Sequence, residues 1–262
     1  MKVMTFNLRS DSVFDGKNRW RYRKDLVIEV IKKHQCDMIG VQEVTHQMRD
    51  DLMSNLKNYH IVGEARTQRF FVEHNNILVS KDHTILEHET FWLSKNPNKS
   101  GSSIWYSVFP RICTTAKVKL NTGEIVRVYN THLDIYLSPA RVYGLKKISE
   151  HIKRQYELDK IPVILMGDFN TTPNQKLISD FMNGHFENQK FVAVQEYNTS
   201  IYEKATMGYF KDIEKGLHLD YIFVSDECEV VHADIIKDNE KGRFPSDHYP
   251  MVASIKFSNS RR

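Results

Sequence analysis

Cysteine is scarce in this chain. The three present, Cys36, Cys113 and Cys228, stand far apart and in odd number. That excludes a disulfide framework and a cysteine-built zinc site, and leaves them as small buried residues. No stretch approaches the roughly 18 apolar residues that a membrane-spanning helix needs. The opening "MKVMTFNLRS" does not read as a secretory signal, because its apolar stretch is short and charges follow at once. A reduced, cytoplasmic setting is therefore expected. Repeats, low-complexity tracts and linkers rich in proline, glycine or serine are also missing. The nearest candidate linker, "SKNPNKSGSS" at 94–103, reads as a surface loop. One domain over 1–262 is expected, long enough to bury a substantial core. Charge of one sign is lacking too: the net +4 is compatible with a phosphate or nucleic-acid partner without requiring one. No dense Lys/Arg stripe points to tight polynucleotide binding. No amphipathic segment points to membrane docking, and no feature suggests an obligate protein partner.

Apolar strand-like runs are plentiful. Stretches rich in Val, Ile, Phe and Tyr at 2–6, 38–42, 60–62, 76–80, 112–120, 125–130, 162–166, 220–224 and 251–257 predict strands. Asn121-Thr122-Gly123 separates two of them and predicts a hairpin, with Gly123 at positive φ. Helical stripes lie between strands: Leu26, Val27, Val30 and Ile31, then Val142, Leu145, Ile148, Ile152 and Tyr156. Thr172 is expected to cap a helix with Pro173 at its first position, followed by Leu177, Ile178 and Phe181. Hairpin and helix connections together predict an α/β fold with mixed sheets.

Polar residues recur where these runs end. Asn7 follows "VMTF", Glu43 follows "MIGVQ", His132 and Asp134 follow "VRVYNT", and Asp168 and Asn170 follow "VILMG". Asp220 opens "DYIFVS", while Ser246, Asp247 and His248 precede "MVASIKF". Taken singly, each has an ordinary explanation as a turn, a helix start or a hydrogen-bonded histidine. Taken together, they are polar groups at corresponding ends of strands that share a core, and such ends form a rim where α/β proteins bind ligands. Clustered carboxylates repel unless protonated or bridged by a cation. Oxygen donors from Asp, Glu and Asn suit a hard ion such as Mg²⁺, Mn²⁺ or Ca²⁺. Two histidines beside them can donate to an anion or protonate a leaving group, a combination suited to phosphate ester hydrolysis.

The ordered motifs "TFNLR", "VQEV", "NTHLD", "GDFN", "LDYIFVS" and "SDHYP", spread from residue 3 to about residue 257, resemble those of the exonuclease–endonuclease–phosphatase, or deoxyribonuclease I-like, superfamily. "NRWRYRKDLVIEVIKKHQCDMIGVQEV", "ETFWLS" and "FPRICTTAKV" resemble a bacterial subgroup of it. The resemblance implies a four-layer α/β (α+β) sandwich: two packed mixed β-sheets flanked by helices. It implies substrates of the wider family's kind: DNA, RNA tails, inositol phosphates or sphingomyelin. It also implies roles. Glu43 would bind metal, Asn7 would lie near metal and phosphate, and Asp247 would be associated with the metal. His132 would contact the phosphate and Asn170 would hold it. Asp168 would orient or deprotonate the attacking water. His248 would sit beside the scissile phosphate, paired with Asp220. The expected cofactor is Mg²⁺ or Mn²⁺.

Other residues carry two readings. Arg111 could point to the phosphate or be a solvated strand-end arginine. Asp134 could support the site or begin the loop before Ser138-Pro139. Glu73, Asn75 and Asn76 could line the site. Tyr136 could stack on a substrate ring or be partly buried; Trp92, Trp105 and Tyr106 could contact substrate or pack in core and loops. The expected function is a metal-dependent phosphoesterase, acting on a phosphorylated small molecule or, as a nuclease, on DNA or RNA. A non-catalytic binding module on the same fold is the alternative, against which the full set of acids and histidines speaks. A serine hydrolase using Ser246, His248 and Asp220 lacks a G-x-S-x-G elbow.

Overall fold

The structure, a computed structural model, describes residues 1–70 and 72–257. The described strands form two six-stranded sheets. In spatial order the first holds β11 (Cys228–Ile235), β12 (Met251–Phe257), β1 (Lys2–Asn7), β2 (Met38–Val44), β4 (His74–Ser80) and β3 (Tyr59–Val62). The second holds β5 (Thr84–Trp92), β6 (Ile112–Lys119), β7 (Ile125–His132), β8 (Val163–Asp168), β10 (Asp220–Val224) and β9 (Val192–Ala193). Each sheet has one parallel pair bridged by a helix. α1 (Trp20–His34) joins β1 to β2, and α3 (Ser138–Asp159) joins β7 to β8. The remaining ladders are antiparallel.

Alternation along the strands explains the layers, because successive side chains point to opposite faces. Val3, Met38, Val128, Ile164 and Met166 meet in the core between the sheets. Their neighbours Met4, Phe6, Ile39 and Val41 face outward, against Val27 and Ile31 of α1 and Met48 and Leu52 of α2 (His46–Asn55). Tyr129, Leu165 and Phe223 pack on Leu145, Ile148 and Ile152 of α3 and on Ile178 and Phe181 of α4 (Lys176–Met182). Both sheet faces are thus covered, giving the four-layer sandwich of two mixed sheets flanked by helices.

The structure differs from the sequence reading at several points. β5, β9 and β11 were not expected. β5 and β11 are polar edge strands, each with a register irregularity, so neither shows a clean apolar alternation; β9 has only two residues. Strands β1, β2, β7 and β8 run on through Asn7, Glu43, His132 and Asp168, polar residues at which a hydropathy reading stops. Thr172 does not cap α4. The cap position is Gln175, with no side-chain cap bond, and Thr172–Gln175 form a turn closed by Gln175 N–H donating to Thr172 O at 3.0 Å. Val142 faces solvent; Ala140, Gly144 and His151 share the buried face of α3 instead. Cys228 is half-buried, whereas Cys36 and Cys113 are buried. The β6–β7 hairpin forms as expected, with Gly123 at φ 105°.

Candidate active site

The two parallel pairs deliver four polar residues to one end of the sandwich. In the ladders Asn7 stands opposite Gln42, and His132 opposite Asp168. β10 runs antiparallel to β8, so its first residue, Asp220, pairs with the last of β8, Asp168. β12 runs antiparallel to β1, which brings the preceding Ser246-Asp247-His248 to the end of β1. There Ser246 Oγ donates to Asn7 O at 2.7 Å. Ser246 is therefore spent on the backbone rather than set up as a nucleophile.

Glu43 sits where β2 advances three residues against two of β4, at φ 61°. Such a bulge re-aims a side chain. Arg9 and Asn170 are also left-handed, at φ 55° and 48°. Non-glycine residues in this region cost roughly 1–3 kcal/mol each and cluster at functional sites. Gly167 is demanded by space. At φ 150° a Cβ there would lie 2.0 Å from Thr131 O, so only glycine lets β8 close on β7 just before Asp168.

One side chain ties the two sheets together at the site: Asn7 Nδ2 donates to Glu43 Oε1 at 3.1 Å and to Asp168 Oδ2 at 3.0 Å. Asn7 Oδ1 accepts from Arg9 N–H at 2.9 Å, and Glu43 Oε2 from Ser10 N–H at 2.9 Å. Asp168 Oδ1 accepts from Asn170 N–H at 2.9 Å, while Asn170 Nδ2 donates to Leu133 O at 3.1 Å. Asp168 Oδ2 faces His132 Nε2 at 3.6 Å and His248 Nε2 at 3.8 Å. His248 Nδ1 donates to Asp220 Oδ2 at 2.8 Å, which fixes its orientation and exposes Nε2 to the site. Arg9 Nε lies 3.8 Å from Asp247 Oδ2.

The electrostatics separate the two histidines. Burial works against charge on His248, but Asp220 outweighs it and holds the imidazolium well above its ordinary range. Burial and the nearby Arg111 push His132 down to about 4. Burial also raises Asp168, with Asp220 adding to it, and raises Asp247, with Glu43 adding to it. Burial alone would raise Glu43 as well; His132, the Ser10 N–H, Asn7 and Arg9 outweigh it and hold the carboxyl at about 2. Four carboxylates gathered at one place, two of them raised by burial, fit a hard cation. Oxygens of Glu43, Asp247 and Asn7 are of the right chemistry for one. Asp168, Asp220 and His248 also present one ligand atom each within 4.8 Å of one another. The facing atoms of the last two, however, already share a hydrogen bond.

Beneath these groups lies a polar layer that the sequence reading missed. Gln42 Nε2 crosses between the sheets to Asn130 Oδ1 at 2.6 Å and also reaches Thr5 Oγ1 at 3.1 Å. Asn130 Nδ2 donates to Val41 O and Asn76 O. The available signal was a polar residue inside each of the runs "MIGVQEV" and "IVRVYNTH". Arg23 was missed too. It is fully buried and donates to the backbone carbonyls of Leu8, Arg9, Asn18 and Pro245, joining the loops before and after the site.

The weaker candidates divide. Arg111 is buried, 3.9 Å from Asp134 Oδ2, and its Nε has no hydrogen-bond partner among the described residues. It is not a solvated strand end. Asp134 begins the loop as expected, Oδ1 accepting from Tyr136 and Leu137 N–H, and its Oδ2 accepts from Ser107 Oγ beside Arg111. Asn75 and Asn76 spend their amides on the carbonyls of Ile112, Val62 and Gly63. Glu73 pairs with Arg66 at 2.8 Å. Trp92 is buried and donates to Arg66 O. Trp105 is 93% exposed and Tyr136 62%, so neither packs as expected. Tyr106 is half-buried, edge-on to Trp105.

The chain is similar to known proteins in sequence and in fold. A protein of Acanthamoeba polyphaga mimivirus, L388, is 26% identical over 85% of this chain and 87% of its own. The solved endonuclease/exonuclease/phosphatase of Bacteroides vulgatus is 30% identical, covers 98% of both chains and superposes with a TM-score of 0.83. The mannosyl-6-phosphatase of Bacteroides thetaiotaomicron is 26% identical, with 98% of this chain and 100% of that one covered and a TM-score of 0.84. The family profile described as "Endonuclease/Exonuclease/phosphatase family" matches residues 4–248, from within β1 to the histidine bonded to Asp220. On that match, the chain belongs to the endonuclease/exonuclease/phosphatase family.

Proposed function

We propose that this protein is a divalent-metal-dependent phosphoesterase in which Asp168, His248 and His132 act on the phosphate, with Asp220 positioning His248 and Asn170 positioning Asp168. The observation that carries the reading is Asp168 Oδ2, held by Asn7 and facing both imidazoles within 4 Å. Water attacks phosphorus while its proton passes to Asp168. The ester P–O bond breaks, and the leaving oxygen takes a proton from His248 Nε2, which Asp220 keeps charged and aimed. His132 and Arg111 hold phosphate oxygens, and Asn170 fixes Asp168 by its N–H. Glu43, Asn7 and Asp247 would hold Mg²⁺ or Mn²⁺, which supplies charge neutralisation at the phosphate. The mannosyl-6-phosphatase likeness supports a phosphorylated small molecule as substrate. Among the described residues no helix is long and apolar enough to cross a membrane. The free thiols fit a cytoplasmic location.

The test is a panel of phosphate esters offered to the wild type and to Asp168→Asn and His248→Ala, each checked for folding by circular dichroism. We expect kcat/KM to fall about 10²–10⁴-fold in each variant; wild-type turnover in either would sink these roles. Activity should vanish in EDTA and return with Mg²⁺ or Mn²⁺. Glu43→Gln should weaken Mg²⁺ binding in calorimetric titration while leaving the fold intact, and an unaltered affinity would contradict its assignment.

A further inference from the structure

The backbone of Asp220 is held by side chains from outside its sheet. In the β8–β10 ladder Phe169 N–H donates to Leu219 O at 2.8 Å. The bonds of an antiparallel pair alternate along the strand, so at the next residue, Asp220, the N–H and C=O point away from β8. They point to the side of β9. That strand pairs with β10 at Phe223 and Val224, and over Val194–Tyr197 the chain runs as a 3-10 helix instead. β9 therefore stops short of Asp220. Two side chains take its place. Thr206 Oγ1 accepts from Asp220 N–H at 3.2 Å and from Leu219 N–H at 2.8 Å. Gln195 Nε2 donates to Asp220 O at 3.2 Å.

The Gln195 amide has one workable orientation. Its Nε2 lies 2.9 Å from His218 Nε2, and His218 Nδ1 lies 2.9 Å from Lys204 O. A carbonyl can only accept, so Nδ1 carries the hydrogen and Nε2 of the neutral ring accepts. Burial pushes His218 down to about 4, in keeping with a neutral ring. Turning the amide over would aim Oε1 at a ring lone pair and at the Asp220 carbonyl. As placed, both amide hydrogens are used, and Oε1 has no hydrogen-bond partner among the described residues. An empty buried acceptor is unfavourable, so what this side chain contributes is its two donors. Gln195, Thr206 and His218 are all buried, and His218 packs edge-on to Tyr221 of β10 at 5.2 Å.

The Asp220 carboxylate has little else to aim it. Oδ2 accepts from His248 Nδ1 at 2.8 Å, while Oδ1 has no hydrogen-bond partner among the described residues. Its direction therefore follows from its own backbone. The same supporting segment reaches the histidine, because Tyr249 N–H donates to Thr206 O at 2.7 Å. We propose that Gln195, oriented by His218, is a positioning residue: it fixes the start of β10 and so holds the Asp220 carboxylate on His248. Its effect on turnover rests on the phosphoesterase reading; its effect on the Asp220–His248 bond does not.

The experiment compares the full chain with Gln195→Met and with Gln195→Met/His218→Phe, below the Tm of each. Three quantities are read: Tm, the kcat and KM for an ester that the wild type hydrolyses, and the His248 Nδ1–H proton in ¹H–¹⁵N NMR at one fixed pH. Gln195→Met should lower kcat about tenfold while KM stays within about twofold. The proton should move upfield as the bond to Asp220 lengthens. Tm should fall too, because His218 Nε2 loses its donor. The double variant removes that unpaired nitrogen and should recover Tm. In it kcat and the proton should stay displaced, since neither new side chain can donate to Asp220 O. Return of kcat and the proton to wild-type values in the double variant would show a merely structural role and overturn the proposal. So would wild-type kcat with an unmoved proton in Gln195→Met. If the wild type hydrolyses no ester of the panel, the phosphoesterase reading fails, and the proton alone decides this inference.

Discussion

His248 owes its charge to one partner. Asp220 accepts from its Nδ1 at 2.8 Å and outweighs the cost of burial. The folded-state value is raised, so this imidazolium's contribution to stability is fully present below about 6.5 and is lost as pH rises through the folded value. Asp220→Asn should therefore move the alkaline limb of kcat/KM to lower pH, with the ring's titration followed by NMR. An unmoved limb would show that His248 does not set it. His132 has the opposite sign. Its value is depressed to about 4, so its contribution is present above about 6.5 and fades as pH falls towards 4. These residues were legible in the sequence because each ends an apolar run with a charged or amide group. Arg23, Gln42 and Asn130 were not. A single arginine in a helix and amides inside strands look ordinary until the chain folds around them, and their roles lie in contacts to distant backbone and to the other sheet.

The parallel strand pair is the element that positions the chemistry. β7 and β8 end level with each other only because Gly167 lets the backbones meet. Gly167→Ala should destabilise the protein by about 3 kcal/mol, read from urea unfolding, and should depress activity with it. A change within about 0.5 kcal/mol would mean that the neighbouring strand yields. Thr172→Ala, by contrast, should change stability by less than about 0.5 kcal/mol, because the side chain caps no helix. The sequence suggested otherwise, since Thr-Pro before an apolar stripe carries the local signature of a helix start. Here the chain first makes a turn. Central strands were legible because burial on both faces forces apolar residues; of the edge strands only β3 was, since β5 and β11 carry Glu and His and β9 has two residues.

At the scale of the whole molecule, the site belongs to neither sheet. Glu43 and Asn7 come from one sheet, Asp168 and His132 from the other, and Asn7 bonds across the seam. The mixed-sheet class was legible from element order. Turnover and ellipticity should be lost over the same urea range, and turnover outlasting ellipticity would show that one sheet suffices. The order of the strands has a further consequence for a newly made chain. The first sheet takes β1–β4 from before the second sheet in sequence and β11 and β12 from after it, so a growing chain lacks Asp247 and His248 until the second sheet has been synthesised, and assembly itself serves as the safety catch.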